Sequence, residues 1–149
     1  MIKPNNFKKL EQDDINRLAP LYVDYFNQFE DGVWTLEHAI RRLRQLIMRE
    51  DQVGLLYHID DCIIGFASGQ LTQFDDGIVF ELNEIFIRAE EQSKGYGSIL
   101  LKRIEDEAKE LGAFRIQLIT GIDDRHHHFY NEIHGYGDGK NNIQKSKAL

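Results

Sequence analysis

Residues 85–98, Ile85-Phe86-Ile87-Arg88-Ala89-Glu90-Glu91-Gln92-Ser93-Lys94-Gly95-Tyr96-Gly97-Ser98, run from an apolar strand through a polar turn into an amphipathic segment. Two glycines two residues apart, just ahead of a helix, build a nest of backbone N–H groups at the helix N-terminus, where a phosphate can sit. Glycine suits the turn because, lacking a Cβ, its backbone takes positive φ and approaches a ligand closely. A dinucleotide fingerprint would need a third glycine where Leu100 stands. A P-loop would close on Gly-Lys-Ser/Thr, a tripeptide the chain lacks. A phosphate of another kind, or a plain tight turn, is what remains.

Two further side chains have the chemistry of proton transfer. Alternation along residues 78–87 puts Phe80, Leu82, Glu84 and Phe86 on one face of a strand, unless a β-bulge shifts the count. A lone acid in an apolar row is costly unless it is used or paired with a basic side chain. Burial raises its pKa toward the working range of a general base. Tyr130 offers a phenol proton to a leaving group; otherwise it is a packed aromatic at a helix end. His126-His127-His128 invites a metal, but consecutive helical residues point about 100° apart and cannot converge on one ion. No metal site is expected.

The elements that must position these groups follow from periodicity. Ile15, Leu18, Tyr22, Phe26 and Phe29 recur at helical spacing behind Asp13 or Asp14 as N-cap, with Pro20 predicting a kink or a later start. Thr35 caps a second helix whose inner face is Leu36, Ile40, Leu43 and Ile47; Arg41, Arg42 and Arg44 read as its solvated face. Residues 53–59 and 62–71 are β-rich runs joined by Asp60-Asp61, and Asp75-Asp76-Gly77 turns into a strand over 78–87. Residues 98–111 form an amphipathic helix with Leu101, Ile104, Ala108 and Leu111 inward and Gly112 as terminator. A strand over 114–120, a short helix over 123–133 and a last strand over 142–149 complete an α+β reading around one mixed sheet.

Composition narrows the function classes. A chain of 149 residues is expected to be a single domain, 1–149, large enough to bury a core without staples. One cysteine, Cys62, excludes an internal disulfide framework and suits a reducing cytoplasm. No apolar run approaches a membrane span, and residues 1–10 are too polar for a signal-peptide core, so no membrane association is expected. A net charge of −7 argues against nucleic acid and is compatible with a cationic small molecule or basic peptide.

The element order resembles the GNAT superfamily of N-acetyltransferases from end to end, and three segments carry the likeness locally. Gln92, Gly95 and Gly97 fill the family's Gln/Arg-x-x-Gly-x-Gly/Ala acyl-CoA pyrophosphate loop. Glu84, eight residues before Gln92, stands where many members carry an acid. Phe129-Tyr130-Asn131-Glu132-Ile133-His134-Gly135-Tyr136 is similar to the family's Phe-Tyr-x-x-x-Gly-Phe segment, and His127 matches an Ala-His-x-Phe-Tyr variant of it. Gln92 in place of the commoner arginine removes one cationic phosphate contact, which Lys94 partly restores. Asp123 stands where many members have an asparagine bonded to the pantetheine arm, and a carboxylate cannot donate there.

The resemblance implies a GNAT-like fold, with a mixed, mostly antiparallel central sheet flanked by helices, and acetyl-CoA as the acyl-donor cosubstrate. It implies that Gln92, Ser93, Lys94, Gly95, Tyr96, Gly97 and Ser98 meet the pyrophosphate. Backbone N–H groups at Ile85, Phe86 and Ile87 would serve the thioester carbonyl, and Tyr130 would hold the sulfur. Glu30, Asp31 and Trp34 fall where the family places its acceptor pocket; acid plus aromatic suits a cationic amine, and a solvated loop is the other reading. The expected activity is acetyl transfer to a small-molecule or peptide amine by direct attack in a ternary complex, Cys62 lying in a hairpin away from the site. A homodimer is expected of a small member, with the segment 142–149 as an edge strand for the partner. A non-catalytic acyl-CoA-binding or regulatory domain is the alternative, against which the joint presence of Glu84 and Tyr130 argues.

Overall fold

The computed structural model describes residues 6–149; residues 1–5 lie outside the described residues. The chain forms two compact units, Met1–Leu118 and Ile119–Leu149. In the first, the described residues build a five-stranded sheet in the order of the sequence: β1 (Phe7–Lys9), β2 (Gln52–Ile59), β3 (Cys62–Phe74), β4 (Gly77–Ile87) and β5 (Ala113–Leu118). The first three pairings are antiparallel and the last is parallel. Hairpins join β2 to β3 and β3 to β4, with Asp60 at φ 52° in the tight turn between β2 and β3, whereas two helices separate β1 from β2. A parallel pair needs a crossover, supplied by the helix α3 (Tyr96–Glu110) between β4 and β5. This is an α+β fold with a mixed, mostly antiparallel sheet. β1 is the strand that periodicity missed; three residues are too few to show alternation.

Helices α1 (Ile15–Phe29) and α2 (Leu36–Ile47) cover one face of this sheet, with Tyr22 of α1 packed against Phe66 at 6.3 Å and Phe86 at 6.1 Å. The start of α3 lies on the opposite face, where the rings of Tyr96 and Tyr57 are 5.7 Å apart. α1 opens through a 3₁₀ turn, Gln12–Asp14, whose capping box joins Glu11 and Asp14. The helix then runs unbroken through Pro20. Asn16, whose carbonyl would have received the missing N–H, is exposed, so water can satisfy it. Thr35 caps α2 by accepting from the His38 N–H at 3.2 Å.

Two inner faces differ from the periodic expectation. α2 buries Ala39, Leu43 and Leu46 rather than Leu36, which is half exposed, so its packed stripe is turned by about one residue. That rotation brings Arg42, one position before Leu43, toward the sheet instead of leaving it in solvent. α3 buries Leu100, Leu101, Ile104 and Ala108, and it ends at Glu110, so Leu111 lies outside the packed stripe.

In the second unit, a turn of helix, α4 (Asp124–His127), continues into a π-helix over His128–Ile133. The segment 142–149 is not a strand. It has no regular structure, and Ile143 and Leu149 are fully exposed. Asn-Ile-Gln-Lys-Ser-Lys-Ala-Leu lacks the alternating apolar residues that a sheet edge would bury.

Candidate active site

A β-bulge decides where Glu84 points. In the β3–β4 register Gly69 faces Leu82 and Ser68 faces Glu84, so Asn83 is the extra residue on β4. One inserted residue reverses every side chain beyond it. Leu82 therefore shares the face of Gly69, while Glu84 and Phe86 share the face of Ser68 and Phe66, beneath α1 and α2. The single row Phe80–Leu82–Glu84–Phe86 expected from alternation is broken at Asn83.

There the carboxylate meets groups from both helices. Arg42 approaches Oε1 of Glu84 with Nη2 at 2.9 Å and donates Nε–H to the same oxygen at 3.0 Å. The Tyr22 hydroxyl donates to it at 3.2 Å. Arg49, just past α2, donates to the Oδ1 of Asn83 at 2.8 Å, fixing the bulge residue itself. All of Glu84's contacts fall on Oε1, and Oε2 has no hydrogen-bond partner among the described residues. Burial raises the Glu84 pKa above the ordinary carboxylate value, and Arg42, Tyr22 and Arg49 pull against that rise without cancelling it. The Tyr22 hydroxyl is held protonated by burial first and by the Glu84 charge second. The arginine was legible only as one of three on a helix; its partner is 42 residues away in sequence.

Past Glu84 the strand has a bare edge. The β4–β5 pairing ends at Leu82 opposite Leu118, so Glu84, Ile85, Phe86 and Ile87 pair with β3 but have no strand on the other side among the described residues. A 3₁₀ turn, Ala89–Glu91, leads from this edge into the glycine loop. Gln92 donates its side-chain N–H to the Ile87 carbonyl, so that amide closes the turn on its own strand. Lys94 is paired with Glu91 at 2.7 Å. Ser93 takes φ 63° and Gly95 takes φ 84°. Gly95 is the N-cap of α3, and it has no side chain to accept from the first helical N–H groups. A Cβ built there would meet nothing within 4 Å. The helix start is thus an open cradle of N–H groups, the shape a phosphate needs.

The connection between α1 and α2 is ordered by side chains. Asn27 holds Trp34 at both backbone groups, accepting from its N–H at 2.7 Å and donating to its carbonyl at 2.9 Å. The Trp34 indole stands edge-on to Tyr22 at 5.0 Å, which puts it one residue from Glu84. The Tyr25 hydroxyl donates to Glu30 at 3.0 Å, and Asp31 turns the chain with φ 54°. Cys62 is exposed at the β2–β3 hairpin, with its sulfur accepting from Arg88 at 3.1 Å, so the thiol touches the first residue after β4.

In the second unit, Tyr130 is buried within the π-helix, its ring 5.0 Å from Phe129 and 5.6 Å from Tyr136. The Tyr136 N–H donates to the Tyr130 carbonyl at 2.9 Å, which closes the turn over the tyrosine. Asp123 caps α4, accepting from the His126 N–H at 3.1 Å and pairing with its imidazole. Those hydrogen bonds lower its pKa, so it is the anion that the cap requires. His128 pairs with Glu132 at 2.6 Å. No group of His, Cys, Asp and Glu with the arrangement of a metal site occurs among the described residues. Among the described residues, no helix is long and apolar enough to cross a membrane.

The chain was compared with known proteins. The model of the Acetyltransferase (GNAT) family matches residues 15–136. An uncharacterised N-acetyltransferase of Methanocaldococcus jannaschii is 20% identical over 129 residues, which cover 84% of this chain and 57% of that protein. The chain thus spans little more than half the length of that curated relative. The structure of a "possible acetyltransferase" from Clostridium difficile 630 superposes with a TM-score of 0.81 at 12% identity, covering 96% of this chain and 97% of that one. An aminoglycoside acetyltransferase from an uncultured soil metagenomic sample, solved in complex with sisomicin, gives 0.74 at 15% identity, covering 96% and 95%. At these identities the structural likeness speaks for the fold.

Proposed function

Because the chain belongs to the GNAT acetyltransferase family, whose model spans most of its length, we propose that it moves an acetyl group from acetyl-CoA to a primary amine. Attack is direct, with donor and acceptor bound together and no acyl-enzyme. The observation that carries this reading is the bulge at Asn83, which turns Glu84 out of the Leu82 row and leaves it just ahead of a bare strand edge and an anion cradle. A coenzyme-binding module without chemistry has no need of a largely buried carboxylate at that point.

The open cradle at Gly95 fits a pyrophosphate. In this reading the backbone N–H groups of Gly95, Tyr96, Gly97 and Ser98 hold it, with Gln92, Ser93 and Lys94 shaping the turn. The bare edge at Ile85, Phe86 and Ile87 offers backbone groups to the rest of the coenzyme. When bound, acetyl-CoA supplies an acetyl group activated as a thioester. Glu84 takes the proton of the incoming ammonium, directly or through a water, and Tyr130 gives its phenol proton to the leaving sulfur. Glu30, Asp31 and Trp34 receive the cationic amine. The chain acts in the cytoplasm as one domain.

Gly97→Val tests the cradle. The residue lies within α3, where valine is tolerated better than glycine, so the fold should survive while the side chain obstructs the anion. Titration calorimetry should show coenzyme A binding weakened at least tenfold; a folded variant binding coenzyme A as tightly as the wild type would refute the assignment. Gly95 is the poorer probe, since its φ of 84° adds backbone strain to any side chain.

The activity itself is tested by thiol release from acetyl-CoA across a panel of polyamines, aminoglycosides, amino acids and peptides. The Arg42–Glu84 pair favours one competing reading, a domain in which the carboxylate is only an ion-pair partner. That reading expects coenzyme A binding with no thiol release from any amine. We also propose a homodimer. The irregular 142–149 segment no longer supplies the edge, whereas β5 is an edge strand of its sheet. Sedimentation showing a monomer alone at micromolar concentration would count against it.

A further inference from the structure

Resting on the reading of Glu84 as base, we infer that Arg42 is a positioning residue that ties down Oε1 and leaves Oε2 to receive the substrate proton. The geometry is specific. Both Nε and Nη2 of Arg42 converge on Oε1, and the Tyr22 hydroxyl makes the third contact to the same atom. A structural Arg–carboxylate pair frequently takes the bidentate form, one nitrogen to each oxygen. Here both nitrogens share one oxygen, so the carboxylate is gripped by one side only. Oε2 has no partner among the described residues.

The groups that face the carboxylate come from three directions. Arg42 approaches from α2, Arg49 from beyond α2 and Tyr22 from α1, while β3 places the neutral Ser68 opposite. Among the described residues, Arg42 alone makes direct ionic contact. Largely buried, Glu84 would pass to its neutral form at a higher pH without it, and a neutral carboxyl cannot accept the ammonium proton. Arg42 thus does two things: it keeps the base charged against burial, and it fixes which lone pairs are available.

Three variants separate these roles. In Arg42→Gln, which removes the charge, the acid limb of kcat/KM should move up by about one pH unit or more, a tenfold loss on the acid side. Arg42→Lys keeps a point charge but not the two-nitrogen grip; its limb should stay near the wild-type position while kcat falls severalfold. Tyr22→Phe keeps the ring and removes the third contact, shifting the limb in the same direction as Arg42→Gln but less. Direct NMR titration of the Glu84 carboxyl reads the same shift without any acceptor or coenzyme. An unmoved Glu84 titration in folded Arg42→Gln overturns the inference; if that variant does not fold, a wild-type kcat in Arg42→Lys does so. Wild-type activity in Glu84→Gln would instead remove the base reading, leaving the titration to report the grip alone.

Discussion

Glu84→Gln is expected to lower amine acetylation by about 10²- to 10⁴-fold at neutral pH and to recover part of that loss as the pH rises. Glutamine keeps the volume and an acceptor oxygen, so the hydroxyl of Tyr22 and the guanidinium of Arg42 retain a partner and the bulge is undisturbed. What disappears is the ability to take a proton. The loss is greatest where the acceptor is an ammonium ion, and it shrinks toward alkaline pH, where the amine is already neutral. In the wild type, activity should rise with pH through the Glu84 pKa. Because burial raises that pKa despite Arg42, the rise should come at higher pH than for an ordinary carboxylate. Profiles of kcat/KM against pH for the two proteins check both expectations. Parallel profiles, with the same loss at every pH, would mean that Glu84 only positions or packs.

The distance between reading the sequence and seeing the site is measured by Asn83. Alternation identified the strand and the acid, because apolar residues at every second position are the direct record of a pleated face. It could not identify the bulge, since one extra residue leaves the composition of both faces plausible and shows itself only in the register with β3. Arg42 was hidden for a related reason. Three arginines on one helix read as a solvated face until the packed stripe is known to be Ala39, Leu43 and Leu46. The loop at Gly95 was legible, because few sequences place two glycines at a strand-to-helix turn without needing positive φ, and the residue takes φ 84°. Gln92 was legible in position but not in use: its side chain turns back to Ile87, a choice local spacing does not dictate. Asp123, which stood out as a departure from the family pattern, proves to have an ordinary local task as the N-cap of α4. The strand expected over 142–149 rested on too few apolar residues to hold an edge.

Tyr130→Phe is expected to reduce turnover by about 10²- to 10⁴-fold at nearly unchanged coenzyme A affinity. The substitution removes one hydroxyl. The ring contacts to Phe129 and Tyr136 and the backbone bond from Tyr136 to Tyr130 do not involve that oxygen, so the π-helix should persist. A π-helical turn is rare and occurs frequently at functional sites. Tyr130 is the buried residue of this one. If its phenol gives the proton to the departing sulfur, the interaction exists only as the thiolate forms, so kcat and kcat/KM should fall together while binding of the ground state stays as it was. Calorimetry for coenzyme A and steady-state kinetics for the transfer separate the two quantities, and circular dichroism checks the fold. A loss confined to coenzyme A binding would make Tyr130 a packing residue of the coenzyme site. Full activity in Tyr130→Phe would hand the protonation of the sulfur to water, and the role of the acid would lie elsewhere.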